Sequence, residues 1–133
     1  YNGTQYLIWG WGPAGVLSIN RTDNAAFDLT SLDLGNSYYT HSSGTVTLTA
    51  DYAAGGSFTT QLALNDSFQR FNLGLKGLSQ VRIGGLDDGE GVGYTALDNF
   101  NVAAVPEPET YAMLLAGLGV VVTAARRRKT LAA

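Results

Sequence analysis

The chain has 133 residues, a formal net charge of −3, a single histidine and no cysteine. That length leaves room for one small domain around one core. The missing cysteines exclude disulfides, thiolate metal sites and cysteine nucleophiles. Charge is split along the chain: before Val105 only Arg21, Arg70, Lys76 and Arg82 oppose nine acids, while Arg126, Arg127, Arg128 and Lys129 cluster near the end. An acidic, lysine-poor body offers no electrostatic footprint for nucleic acid, which removes that partner class.

The chain opens on Tyr1 rather than Met, so an upstream portion carrying an export signal is expected. Tyr6-Leu7-Ile8-Trp9 and Val16-Leu17-Ser18-Ile19 are short apolar runs separated by glycines, and together they predict a hairpin or meander. The intervening Gly10-Trp11-Gly12-Pro13-Ala14-Gly15 is formally a G-x-G-x-x-G match. A dinucleotide site needs a helix to start there, with its N–H groups facing the pyrophosphate. Val16 to Ile19 is strand-like instead, so the stretch reads as a glycine-rich turn bearing Trp11.

Between Ala26 and Leu34, Phe27 and Leu29 share one face, and Leu32 and Leu34 resume after a phase slip at Thr30-Ser31. A β-bulge produces that slip. Residues 35–44, with Tyr38, Tyr39 and His41 among Asn and Ser, read as a loop. Thr45 to Asp51 alternates strictly, Val46, Leu48 and Ala50 against Thr45, Thr47, Thr49 and Asp51, which predicts a half-buried strand. Glycines at 55–56 and Asn65-Asp66-Ser67 punctuate strands carrying Phe58, Leu62 and Leu64, then Phe71, Leu73 and Leu75. Gly77 is read as a further break before Leu78 to Ile83. Residues 84–93 form an acidic, glycine-rich loop, and Tyr94 to Val102 closes the domain. About eight short strands with turn signals and no helical period before Thr110 predict an all-β fold, an antiparallel β-sandwich of jelly-roll type over residues 1–104.

Few residues in this body suggest chemistry. In a regular final strand Asp98 shares the inward face with Ala96, Phe100 and Val102. A carboxylate facing a core must be paired, hydrogen-bonded or metal-bound. It is therefore either a rim carboxylate accepting backbone N–H bonds or one ligand of a structural calcium, an ion that takes about 6 to 8 oxygens. Asp87-Asp88-Gly89-Glu90 lacks EF-hand spacing and reads as a solvated loop. Asp28, Asp33 and Asp51 are assigned to the wet face, so no glycosidase pair is marked out. His41 with Ser42 and Ser43 is accompanied by neither a nucleophile elbow nor an oxyanion-hole motif, so the chain is read as no enzyme. Trp9, Trp11, Tyr38 and Tyr39 are the candidates for stacking on sugar rings, with core or rim packing as the alternative use of such side chains. Asn2, Asn20 and Asn65 sit in N-x-[ST] sequons, a pattern that reports glycosylation only in a host that performs it.

The end of the chain has a different composition. Pro106-Glu107-Pro108 precedes an uncharged run from Tyr111 to Ala125, which Arg126-Arg127-Arg128-Lys129 stops; residues 130–133 are a short tail. The two prolines bias their predecessors toward extended backbone and keep a helix from propagating back into the domain. An extended segment of this kind can be laid into a protease groove as a strand. The apolar run lacks the polar stripe of a core helix, and it predicts a single C-terminal transmembrane helix with its four cations on the cytoplasmic side. As a helix its fifteen residues rise about 22 Å, short of the ~30 Å hydrocarbon core. A short span of this kind suits a transient intermediate better than a permanent anchor.

The order of these three parts, over residues 105–129, resembles the PEP-CTERM sorting domain of exported proteins in Gram-negative, exopolysaccharide-producing bacteria. The resemblance implies recognition and processing at Pro106, Glu107 and Pro108 by a membrane-embedded peptidase, exosortase. It also implies transient residence in the inner membrane and delivery to the cell surface or the polysaccharide matrix. Tyr94 to Val102 more weakly resembles the closing strand of carbohydrate-binding-like jelly rolls, in which the corresponding Asp helps hold a structural calcium. The expected function is thus an exported surface protein with a structural or adhesive domain. The alternative is a carbohydrate-binding module that retains the protein in exopolysaccharide.

Overall fold

The computed structural model describes residues 5–10, 14–36, 43–87, 93–105 and 108–130, and within the last of these ranges the side chains of 110–121. Seven strands precede one helix: β1 (Leu7–Trp9), β2 (Val16–Ile19), β3 (Phe27–Asn36), β4 (Ser43–Tyr52), β5 (Ser57–Asn65), β6 (Gln69–Gly84), β7 (Thr95–Ala104) and α1 (Pro108–Thr130). Every strand pairing is antiparallel, in the order β1-β7-β3-β6-β4-β5, with β2 also on β6. The expected β-sandwich is present, but its two layers are not separate sheets. The 16-residue β6 pairs with β3 over Gln69–Leu78, then with β4 over Leu78–Ile83 and with β2 over Val81–Gly84. One continuous sheet therefore folds over, and β3 meets β5 without hydrogen-bonding to it.

The interior forms where the apolar faces of the two layers converge. Leu29, Leu32, Leu34, Val46, Leu48, Leu78, Val81, Ile83 and Leu86 are fully buried, each such side chain contributing about 1.5–3 kcal/mol through burial. Trp9, Leu17, Ile19, Tyr52, Phe71, Leu73, Leu75 and Phe100 pack around them at half burial. The alternation read in β4 holds, with Val46, Leu48 and Ala50 buried.

The phase slip in β3 is a real irregularity. Its register shifts between Leu29 and Ser31 against both neighbours, and again between Ser31 and Asp33 against β7. This lets Leu29 and Leu32, of opposite parity, both face inward.

Two readings are corrected. β1 and β2 are not a hairpin: β1 lies on β7 and β2 on β6, because apolar runs close in sequence need not pair when better partners exist elsewhere in the sheet. Gly77 does not end a strand. Gly74 and Gly77 have φ of 61° and 66°, and around each of them three β6 residues oppose two of β3. These are bulges whose extra residue sits in the left-handed region that glycine enters without strain, and the strand continues through both.

Candidate sorting site

The site begins where the sheet stops. β7 stays paired to β3 down to Ala104, opposite Phe27, and α1 starts at Pro108. Pro106 and Glu107 lie outside the described residues. Pro108 is the first helical residue, where proline's missing N–H and fixed φ are tolerated. The sequence thus places its chain-breaking motif at the junction between a sheet-bound strand and a separate helix.

From Thr110 to Val121 every residue of α1 is exposed. Met113 is 74% accessible, and Leu114, Leu115, Leu118, Val120 and Val121 lie between 60% and 69%. A side chain added at Gly117 or Gly119 would meet open space. From Tyr111 to Val121 the apolar run is therefore not core filling for the domain. A helix that exposes leucine and valine on all sides in water leaves a large apolar area unburied, as expected of a segment matched to another solvent. Among the described residues, however, no helix is long and apolar enough to cross a membrane, so the expectation of a full transmembrane helix is not met there. Arg126, Arg127, Arg128 and Lys129 fall within α1, and their side chains lie outside the described set.

The body's candidate residues separate into placed and unplaced groups. Trp11, Tyr38, Tyr39 and His41 lie outside the described residues. Trp9 is half-buried against the core, and its Nε1 donates to the Ile83 carbonyl oxygen at 3.2 Å, tying β1 to β6. That indole packs against the core with its nitrogen turned to β6.

Asp98 does not face the core. Asn99 has a positive φ of 47°, so β7 is irregular at this point. The half-buried Asp98 carboxylate accepts the Asn99 N–H at 2.7 Å. The partner residue across the strand is Asp33, whose carboxylate already holds Arg70 in a bidentate pair (2.8 and 3.1 Å) and the Asn99 amide at 2.8 Å. Among the described residues no group of three or more acids or histidines could hold a metal ion. Asp33, across the strand from Asp98, is committed to Arg70 and Asn99.

Nor does Asp33 lie on the wet face, where its parity in β3 had pointed. It is 9% accessible, because β3 is a central strand whose outer face is covered by side chains from β6 and β7. The Arg70 guanidinium, with help from Asn99, holds its carboxyl below the usual carboxylate range against the opposing effect of burial and of Asp98. Asp28 and Asp51 are half-buried, accepting from the Gly77 N–H at 2.8 Å and from Arg82 at 3.1 Å. These acids brace the sheet.

The fold and its tail thus define an all-β domain joined to an exposed C-terminal sorting segment. Residues 104–129 match the family model of the PEP-CTERM protein-sorting motif, so the chain carries a PEP-CTERM sorting signal near its C-terminal end, which supports exosortase-dependent export. No curated protein matches the chain. Among solved structures, it is similar to part of an agarase, AgWH50C, with a TM-score of 0.48 and 10% identity over 69% of this chain and 19% of that one. The chain therefore corresponds to about a fifth of that enzyme's length.

Proposed function

We propose that this chain is a structural or adhesive β-sandwich that passes transiently through the inner membrane and is delivered to the cell surface or its polysaccharide matrix. An exosortase-type peptidase processes it at Pro106-Glu107-Pro108. Tyr111 to Ala125 is the lipid-associated segment and Arg126 to Lys129 the cytoplasmic stop. The carrying observation is that a helix beginning at the matched motif keeps its leucines and valines out of the domain core.

The physical logic is one of separable parts. The sheet ends with β7 and its core takes no residue after Val105, so removal of everything after that residue is expected to leave the core intact. The helix is too short for a comfortable permanent span, since its uncharged stretch reaches about 22 Å against ~30 Å of hydrocarbon. Snorkelling cations and a thinned bilayer close the difference for an intermediate that is soon cut. The prolines keep the helix from propagating back into the sheet-bound strand.

The test is intact mass and fractionation in the producing cell. Wild type is expected as a shortened species at the surface or in the matrix. Replacing Pro106, Glu107 and Pro108 together by Ala is expected to leave an uncut species in the membrane fraction. Equal surface yield and equal mature mass for both would overturn the proposal.

A further inference from the structure

β5 is an end strand of the sheet: among the described residues it pairs only with β4, and its other edge carries no partner strand. Natural sheets protect such edges with lysines, prolines, bulges or shortness. β5 has none of these. Its nine residues, Ser57-Phe58-Thr59-Thr60-Gln61-Leu62-Ala63-Leu64-Asn65, contain no charge and no proline, and its register on β4 runs without a shift from Ser57 to Asn65. The opposite end of the sheet is different. β1 covers β7 only over Thr95–Leu97, and the uncovered part of β7 begins with Asp98 and the left-handed Asn99, a break that disrupts a straight ladder.

We propose that the free edge of β5 is an interaction surface for β5 of a second copy of this chain, paired antiparallel about a two-fold axis at Gln61. The self-complementarity of the strand selects this partner. In the one register that uses all nine residues, Phe58 faces Leu64, Thr60 faces Leu62, Thr59 faces Ala63, Ser57 faces Asn65 and Gln61 faces itself. Opposed residues in an antiparallel pair share a face, and here every opposed pair has the same parity. The inward set (Phe58, Thr60, Leu62, Leu64) therefore stays inward in both copies, and the two cores become continuous. A slip by one residue would turn Leu62 and Leu64, both buried, toward the wet-face residues of the partner. No pair in the register opposes like charges, although the domain as a whole is acidic. Phe58, 38% accessible in the single chain, gains Leu64 of the second copy as cover. A closed two-fold contact of this kind gives a dimer.

The absence of cysteine provides a clean test on the full chain, held in non-ionic detergent at less than one chain per micelle so that the tails do not associate. Gln61→Cys places the two thiols across the two-fold axis, where opposed Cα atoms lie about 4.5–5.5 Å apart, within the span of a disulfide. Oxidation is expected to give a covalent dimer. Thr59→Cys alone sits four residues out of register with its own copy and is expected to cross-link at least about tenfold more slowly, because its thiol lacks the mM-scale effective concentration of a paired site. Mixed with Ala63→Cys, it is expected to form the hetero-dimer. Gln61→Lys, at an exposed position, sets like charges across the axis and is expected to return the chain to monomer in sedimentation. The proposal is overturned if Gln61→Cys stays monomeric under oxidation, or if Thr59→Cys alone cross-links as fast as Gln61→Cys.

Discussion

Leucine has two fates in this molecule. In the sheet, Leu29, Leu32, Leu34, Leu48 and Leu78 are fully buried; in α1, Leu114, Leu115 and Leu118 are 60% or more exposed. Residue type alone does not decide between them. The strands interrupt their leucines with Thr, Ser and Asp at period two, so each has one face that can be buried and one that can be wetted. From Tyr111 to Val121 the helix has no second face to wet, and among these described residues none is buried against the body. The same side chain is therefore a source of stability in one region and of exposed apolar surface in the other.

The comparison breaks most visibly at the core. Leu48→Ala is expected to destabilise the body by about 2–5 kcal/mol, whereas Leu115→Ala should leave its denaturant midpoint unchanged. Urea titration of both variants checks the contrast, and a comparable loss from Leu115→Ala would mean that the helix packs on the sheet. A smaller loss, on the order of 1–2 kcal/mol, is expected for Gly77→Ala, since φ of 66° is strained for any residue with a Cβ, even though the added atom meets nothing within 4 Å. Thermal melting should show a fall of several degrees.

Asp33→Asn sharpens the difference between a braced sheet and a loose tail. Because the folded carboxyl is held below its usual value of 3.8, its ion pair with Arg70 stabilises the fold fully above that pH. The contribution is lost as pH falls through the lowered folded value. The wild type should therefore lose stability relative to Asp33→Asn on acidification below about pH 4, while the two curves run parallel from pH 5 to 8. The smallest effect has the opposite sign. The Thr95 hydroxyl is buried with no hydrogen-bond partner among the described residues, so Thr95→Val, which removes an unsatisfied group at almost constant volume, should raise stability by roughly 1 kcal/mol.

Much of this could be read from the residues, and the failures share a cause. The Val46-Leu48-Ala50 alternation and the slip at Thr30-Ser31 were legible because both are local patterns of side-chain parity. The Pro-Glu-Pro, apolar and basic succession was legible because its signal is composition. Which strand pairs with which was not: β1 and β2 looked like a hairpin because they are neighbours in sequence, yet each found its partner more than 60 residues away. Gly77 looked like a stop because glycine marks turns and left-handed bulges equally. Asp33 looked wet because its parity says nothing about Arg70 reaching over from β6. At the site itself, the expected inward turn of Asp98 assumed a regular strand, and the left-handed Asn99 removes that assumption.

The order of the strands along the chain also bears on timing. β7 is the last strand to emerge from any process that threads the polypeptide from its N-terminus, yet it lies beside β3 and supplies Thr95, Ala96 and Leu97 to the interior. The globule therefore stays incomplete until the final residues before Pro106 are free to join the sheet. Only then can Phe27 find Ala104. In the proposed export route a membrane peptidase would meet the motif just as β7 becomes free to pair, so the position of one strand would tie release to completion of the fold.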